Sequence, residues 1–352
     1  MTDLLLEILS IASPTFHESK KIEFIQNWLQ KNAFEGELTR HNNNLIYEIN
    51  VDKSLPTIGL IGHCDVVPAH FEPKIESGKI YGAGVSDMHA GFVAFLDLLK
   101  KTDVKLKYNI VLIIYCQEEG TPLEKNGLYD VIKHHKQKVE QIDVAIVGEP
   151  TDNTLQLGCV GSLHVNVCVY GKAAHSARPW TGENALYNAL PLINHMANLK
   201  EKTVDVNNLE FKDVISITEC EISKGRTTIP DECILNINYR FAPNKSQQEA
   251  FAFVQELVKN QLDCKYDLTL VDSVPAGKII NSDLLEDCIN QLGFRIQAKQ
   301  AWTDVAQLSE LAIPSFNCGP GHQAQAHTKN EYASLALISE YAKKLKQLIY
   351  TK

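Results

Sequence analysis

Short apolar runs alternate along the chain with segments whose apolar residues have helical spacing. Four short, largely apolar runs lie at 57–61, 110–115, 144–147 and 313–317. Runs of this length are typical of strands buried on both faces of a parallel sheet. Residues 91–101 and 332–349 show the helical spacing. This alternation predicts an α/β fold in which helices cover both faces of the sheet.

The middle of the chain has a different pattern, in which polar and apolar residues alternate. This occurs at 164–170, 213–222 and 233–241, as in strands with one face exposed to water. Helical patterns at 184–199 and 246–261 accompany these strands. We therefore predict an α+β domain, an antiparallel sheet with two helices, inserted at about 163–273. The main domain would then be discontinuous, comprising 1–162 and 274–352.

Composition excludes several classes of protein. The net charge of −9 and pI of about 5.8 argue against a nucleic-acid partner. Residues 1–21 have no basic region before their apolar residues and carry acids among them, which favours an amphipathic surface helix over a signal peptide. No run of 18 apolar residues predicts a membrane span. The nine scattered cysteines include no CxxC pair, which is typical of reduced thiols in a cytoplasmic protein.

Metal-ligating side chains follow the apolar runs at their carboxyl ends. In open α/β sheets, ligands bind beyond these ends. His63 follows the first run by two residues, adjacent glutamates follow the second, and Glu149 follows the third. The fourth run leads to His327, and Asp87 lies in a glycine-rich turn before a helix. The sequence therefore predicts that these side chains converge on one edge of the sheet.

Two histidines and three carboxylates without a thiolate suit Zn²⁺, or else Co²⁺ or Mn²⁺. Five protein ligands are too many for one open tetrahedral site. They fit two metal ions about 3.5–4 Å apart that share a carboxylate and a water molecule. The pattern therefore indicates a two-metal hydrolase.

The adjacent acids Glu118 and Glu119 cannot point the same way in an extended segment. One can bind metal while the other reaches the water as a general base. Asp65 lies two residues after His63, so the two share a side if strand geometry continues. Asp65 is then placed to accept a hydrogen bond from the imidazole and fix its tautomer.

Each of these residues also has a simpler interpretation. A histidine after a strand is usually just partly buried, and a Glu-Glu-Gly segment is usually a solvated turn. The shared position at strand ends favours the metal site. The turn at 82–84 lacks the rest of a phosphate-binding motif, and no GxSxG elbow is present. His134 and His135 lie in a lysine-rich helical stretch and are predicted to be solvated surface.

The motifs together resemble a known family. The chain is similar, almost from end to end, to the co-catalytic zinc family that includes aminoacylases, acetylornithine deacetylases and succinyl-diaminopimelate desuccinylases, and most of all to desuccinylases of the actinobacterial type. The stretches that carry the resemblance are 62–68 (GHCDVVP), 82–88 (GAGVSDM), 118–120 (EEG), 148–151 (GEPT), 171–180 (GKAAHSARPW), 229–233 (IPDEC), 238–243 (NYRFAP), 302–306 (WTDVA), 317–321 (NCGPG) and 326–328 (AHT).

The resemblance implies a zinc-peptidase-like catalytic domain with a mixed sheet, an inserted lid that forms a homodimer, and two Zn²⁺ per subunit. It also implies hydrolysis of N-succinyl-LL-2,6-diaminopimelate, a step in lysine and cell-wall precursor synthesis. The implied roles are as follows: His63 and Glu149 hold one metal, Glu119 and His327 hold the other, Asp87 bridges, Glu118 is the base, His175 stabilises the oxyanion in the partner's site, and Arg240, Thr303 and Arg178 bind substrate.

Two positions depart from the family pattern. Thr227 stands where the family usually has an asparagine in the lid, and His89 stands where lysine is common. The first departure bears on substrate identity more than on hydrolysis. One alternative is therefore a related deacylase, such as an acetylornithine deacetylase. A separate alternative is a non-catalytic binding protein with the same fold. The intact ligand set and Glu118 argue against the binding protein.

Overall fold

The computed structural model describes residues 1–67, 70–223 and 225–351. Pro68, the last residue of the first motif, lies outside these ranges. Within them, the helices are α1 Thr2–Ser10, α2 Ser19–Asn32, α3 Ala90–Leu99, α4 Gly127–Glu140, α5 Ala185–Asn198, α6 Gln247–Gln261, α7 Asp283–Leu292, α8 Val305–Glu310 and α9 Leu335–Ile349.

Strands fill most of the segments between the helices. They are β1 Glu37–His41, β2 Asn44–Ile49, β3 Thr57–His63, β4 Lys74–Glu76, β5 Lys79–Tyr81, β6 Asn109–Tyr115, β7 Val144–Val147, β8 Leu155–Leu157, β9 Gly161–Tyr170, β10 Ala174–His175, β11 Lys202–Val206, β12 Leu209–Ile222, β13 Thr228–Ile229, β14 Glu232–Phe241, β15 Tyr266–Val274, β16 Ile296–Ala298, β17 Ser315–Asn317 and β18 Tyr332–Ser334.

The chain divides into two compact units. The first comprises Met1–Gly158, Ile279–Gln297 and Thr303–Lys352, and the second comprises Cys159–Lys278 and Ala298–Trp302. The predicted limits of the insert, 163 and 273, fall inside β9 and β15, the first and last long strands of the second unit.

The main sheet lies in the order β1-β2-β6-β3-β7-β17-β8-β16. The four predicted apolar strands are confirmed as its central strands β6, β3, β7 and β17, which run parallel to one another. Antiparallel pairs join β1 to β2, β2 to β6, and β8 to β17. The sheet is therefore mixed. Its parallel centre brings four strand carboxyl ends to the same edge.

Helices cover both faces of this sheet, as two glycines of β3 demonstrate. A Cβ at Gly62 would lie 2.8 Å from the Phe92 side chain on α3, and a Cβ at Gly59 would lie 2.8 Å from Ile142, just after α4. Residues three apart in a strand point to opposite faces. Thus α3 lies on one face and the end of α4 on the other.

Helix α3 also approaches the backbone that follows β7. A Cβ at Gly91 would lie 2.0 Å from the carbonyl oxygen of Gly148, and a Cβ at Gly319 would lie 2.4 Å from the same atom. Only glycine permits backbones to come this close. Three segments of chain therefore meet at the residue before Glu149.

The second unit has the predicted antiparallel sheet, in the order β11-β12-β14-β9-β15. Along β9 the side chains alternate between buried and half-buried, so one face carries the core. The helices α5 and α6 cover that face. The shared core includes Val165, Val167, Ala189, Leu192, Val254 and Val258.

The structure departs from the sequence pattern in two places. Residues 332–334 form β18, which pairs with β5, and α9 begins only at Leu335. The side chain of Ser334 caps α9 by accepting from the backbone N of Leu337 at 3.5 Å. The fourth apolar run begins its strand at Ser315, one residue after Pro314. No helix in the described residues is long and apolar enough to cross a membrane.

Candidate metal centre

The predicted ligands lie at the carboxyl edge of the parallel strands. His63 is the last residue of β3, Glu119 follows β6, and Glu149 follows β7. The segment Val85–His89, which leads into α3, carries Asp87. His327 lies in the connection between β17 and β18. Chain topology alone thus brings residues far apart in sequence to one edge.

Four of these side chains are in direct contact, with Asp87 at the centre. Its Oδ1 lies 3.4 Å from His63 Nε2, and its Oδ2 lies 3.4 Å from His327 Nε2. The same nitrogen of His327 lies 3.0 Å from the carboxylate of Glu119. Ligand atoms of His63, Asp87 and Glu119 all lie within 4.8 Å of one another. Asp87 therefore faces both imidazoles, one with each oxygen.

The remaining acids of the predicted site, Glu118 and Glu149, belong to the same electrostatic environment. Burial raises the pKa of Glu118 well above its ordinary value. His63 lowers it, whereas the charges of Glu119, Glu149 and Asp87 raise it further. Glu149 is itself only 6% exposed. Four carboxylates thus lie close enough to affect one another.

The two histidines respond to this negative charge. Hydrogen bonds to Asp87 and Glu119 raise the pKa of His327 to about 10. Burial opposes the charged form of His63, but its contacts with the carboxylates of Asp65 and Asp87 raise its pKa well above the ordinary value. The site therefore favours positive charge.

These residues fit a divalent cation. The Nε2 atom of His63 is buried and, among residues 1–67, 70–223 and 225–351, has no hydrogen-bond partner. It faces the carboxylate of Asp87, and imidazole nitrogen with carboxylate oxygen is a donor set suited to Zn²⁺. A bound cation would give this nitrogen a partner and balance the acids.

Asp65 contacts His63 and also binds the backbone of the segment that carries Glu118 and Glu119. Its Oδ1 lies 3.5 Å from His63 Nδ1, and the backbone carbonyl of Asp65 is closer, at 3.1 Å. The carboxylate accepts the backbone N–H groups of Glu118 and Glu119 at 3.1 and 3.0 Å. It also accepts from the Thr15 hydroxyl at 3.1 Å. Asp65 therefore sets the position of both glutamates.

Glu331 was not anticipated from the sequence. This buried carboxylate accepts the backbone N–H groups of Gly84 and Ser86 at 2.7 Å and of Asp87 at 2.9 Å. It fixes the segment that carries the central acid of the site. Residues 329–331 (KNE) resemble an ordinary solvated loop in sequence, so no local pattern could have indicated this role.

The structure also accounts for His89, which departs from the family pattern. The ring is buried, and its Nδ1 lies 2.8 Å from the carbonyl of Gly84 while its Nε2 lies 2.5 Å from Nζ of the buried Lys21. A carbonyl requires Nδ1 to donate, so Nε2 is the acceptor for the ammonium group. Burial and the charge of Lys21 lower the pKa of His89 well below its ordinary value. Its neutral ring thus supports the turn before Asp87.

Thr303 lies in the first unit, two residues before α8, and is buried. Its neighbour Asp304 lies near enough to His63 for the imidazole charge to lower the pKa of Asp304. Burial is the larger effect and raises that pKa to about 7. Thr303 therefore lies in the neighbourhood of the metal centre.

The other predicted residues lie in the second unit. His175 is exposed, in β10, and its Nδ1 accepts from the backbone N of Ala177 at 3.0 Å. Arg178 is exposed nearby. Arg240 is partly buried on β14, where its Nε donates to the Asn238 side chain at 3.1 Å. Thr227 accepts through its backbone carbonyl from the backbone N of Ser176 at 2.8 Å.

Comparison with known proteins now identifies the class. Residues 59–351 match the model of peptidase family M20/M25/M40, and the chain belongs to this family. It is 32% identical to a succinyl-diaminopimelate desuccinylase of Corynebacterium glutamicum, over 97% of this chain and 94% of the relative.

Solved structures share the fold. A tripeptidase from Staphylococcus aureus matches with a TM-score of 0.81 at 20% identity, covering 99% of this chain and 96% of the other. A Bacillus subtilis protein described as a dinuclear metal binding peptidase from the M20 family matches with a TM-score of 0.68 at 15% identity, covering 99% and 96%. The predicted α/β fold and family resemblance are thereby confirmed.

We predict that Asp65→Asn weakens metal binding by roughly 10- to 100-fold, the usual effect of losing a group that positions ligands. An asparagine would present an N–H₂ group where the carboxylate now accepts backbone N–H groups. The measurement is a competition titration with a metal chelator. Thr15→Val is the matched control, because it removes only the hydroxyl contact. Equal metal affinity in Asp65→Asn and wild type would contradict the positioning role.

Proposed function

We propose that the chain is a metal-dependent amide hydrolase that converts N-succinyl-LL-2,6-diaminopimelate to succinate and LL-2,6-diaminopimelate in the cytoplasm. The observation that carries this proposal is the contact of Asp87 with both His63 and His327 at the edge of the parallel strands. Its substrate rests on the similarity to the named desuccinylase.

Two Zn²⁺ per subunit suit the site, and Co²⁺ or Mn²⁺ suit the same donor set. His63 and Glu149 would hold one ion, Glu119 and His327 the other, and Asp87 both. When bound, such a pair lowers the pKa of water and polarises the scissile carbonyl. The two-sided contacts of Asp87 support its role as the shared ligand.

Glu118 is the proposed general base. It takes the proton from the attacking water and gives it to the nitrogen of the leaving amine as the C–N bond breaks. The neighbouring Glu119 contacts His327, so the two glutamates have separate tasks. Asp65 supports both, because its carboxylate binds their backbone N–H groups.

Arg240, Thr303 and Arg178 are the proposed substrate contacts. The Arg240 guanidinium is partly buried, and in the described residues no carboxylate pairs with it. An ordinary strand-face ion pair would have supplied such a partner. A partly buried guanidinium without an acid is suited to a carboxylate that arrives with the substrate.

We further propose that the second unit forms a homodimer and that His175 of one protomer stabilises the oxyanion in the active site of its partner. Exposed apolar side chains in this unit support an interface. Trp180, Tyr187 and Leu190 are 78%, 66% and 41% exposed. Tyr187 and Leu190 are three residues apart on α5 and therefore share a helix face. Grouped exposed apolar side chains commonly mark contact surfaces.

Glu118→Gln should retain metal and lose about 10²–10⁴-fold in kcat, the usual contribution of a general base. The amide keeps the size of the side chain and cannot take the proton. Metal content by mass spectrometry and kcat are measured on the same sample. Full turnover in this variant would show that another group is the base.

Arg240→Ala should raise KM for the succinylated substrate, with a loss of roughly 10- to 100-fold in kcat/KM, because a charge-assisted hydrogen bond contributes about 1.5–3 kcal/mol. The kcat/KM of Arg240→Lys should lie between those of Arg240→Ala and wild type, since lysine keeps the charge without the planar fork. Arg295→Ala, an exposed arginine in the first unit, is the control. Kinetics equal to wild type in Arg240→Ala would refute the carboxylate contact.

The substrate assignment is tested by kcat/KM of the zinc-loaded protein on N-succinyl-LL-2,6-diaminopimelate and N-acetylornithine. We expect a large preference for the succinylated compound. A preference for acetylornithine would favour the related deacylase, for which Thr227 in the lid is the motivating departure. Absence of turnover on any N-acyl amino acid, together with absence of bound metal, would favour a binding protein.

A further inference from the structure

A second cluster of metal-ligating side chains lies in the first unit and shares no residue with the centre described above. It consists of His41 at the end of β1 and of Asp130 and His134 on α4. One ligand atom from each residue lies within 4.8 Å of the others. A lone exposed histidine is ordinary, but three such groups from two different elements converge here.

The contacts of Asp130 define the cluster. One carboxylate oxygen lies 3.1 Å from His41 Nε2, and the other lies 3.0 Å from His134 Nδ1. The same Nδ1 also lies 3.0 Å from the backbone carbonyl oxygen of Asp130. Asp130 and His134 are four residues apart on a helix, so they lie on the same face. The carboxylate thus faces two ring nitrogens from different elements, as Asp87 does in the metal centre.

A third imidazole adjoins the cluster. The ring of His41 stacks on that of His134 with centroids 4.8 Å apart and meets the edge of His135 at 5.0 Å. In the described part of the chain, the buried Nε2 of His135 has no hydrogen-bond partner. The helix is distorted at this residue, with φ −129° and ψ 35°.

Neighbouring amides hold the carboxylate in place. Nδ2 of Asn42 donates to Asp130 Oδ2 at 3.0 Å, and Nδ2 of Asn44 lies 3.5 Å from the same atom. Asn44 begins β2, which pairs with β1. The amides on the β1–β2 side therefore orient the Asp130 carboxylate before a metal ion binds. Hydrogen bonds from neighbouring groups commonly orient a metal-binding side chain in this way.

We propose that His41, Asp130 and His134 form a further divalent transition-metal site that takes Zn²⁺. The ligand atoms are Nε2 of His41, a carboxylate oxygen of Asp130 and Nδ1 of His134, and water completes a tetrahedron. To bind the metal, Nδ1 of His134 gives up its proton and its 3.0 Å contact with the backbone carbonyl of Asp130. Two nitrogens and one oxygen suit this ion. A metal here joins the β1–β2 edge of the sheet to α4, so its role is structural. The sequence interpretation of His134 as solvated surface is then incomplete.

The test counts zinc. Wild-type protein, His41→Ala and His134→Ala are equilibrated with the same free Zn²⁺ near neutral pH, and metal per chain is measured by mass spectrometry. Each variant should bind one equivalent less than wild type and keep the wild-type rate of amide hydrolysis. His195→Ala, a histidine on α5 in the second unit, is the control and should lose no zinc. Zinc content equal to wild type in both variants would overturn the proposal.

A second measurement does not depend on the folding of any variant. Anomalous diffraction from zinc-equilibrated crystals of the wild-type protein should show a peak among His41, Asp130 and His134. Absence of a peak there, in a crystal with zinc elsewhere, would overturn the proposal. The zinc test compares the zinc content of each variant with that of wild type and does not use enzyme activity. It can therefore be interpreted even if the proposed amide hydrolysis proves wrong.

Discussion

Mutual repulsion among acids is the constraint on which the catalytic edge of this protein depends. Asp87, Glu118, Glu119 and Glu149 converge where water is largely excluded. Two like charges 4 Å apart cost about 4 kcal/mol at an effective dielectric constant of 20. Such a cluster must take up protons or receive positive charge. The raised pKa values of His63 and His327 show that this site draws positive charge onto its two histidines.

Two other acids keep the repelling carboxylates in position by accepting hydrogen bonds from the backbone of the segments that carry them. The carboxylate of Asp65 binds the backbone of the two glutamates, and that of Glu331 binds the segment around Asp87. Neither depends on a side-chain partner that could rotate away. Since backbone N–H groups cannot leave without breaking the local fold, the acids are fixed in position before a cation binds. The preorganisation of the site thus comes from residues outside the ligand set.

The fold could be predicted because its signals are local and redundant. The apolar runs of β3, β6 and β7 are bounded by polar residues, and a parallel arrangement follows from the helices between them. Position at a strand end then identified His63 and Glu149. By contrast, β18 is set by its pairing with β5, a contact between residues far apart in sequence that periodicity cannot express. Glu331, Lys21 and the grouping of His41 with Asp130 escaped notice for the same reason.

The carbonyl oxygen of Gly148 limits the amino-acid substitutions that this protein can accept during evolution. Backbones at Gly91 and Gly319 approach it so closely that even a methyl group at either position would overlap it. Neither position can change through intermediate residues, because the smallest side chain already collides with main-chain atoms. The surroundings of Glu149 are thus closed to gradual change, while the exposed surface of the same helices and loops stays open to it.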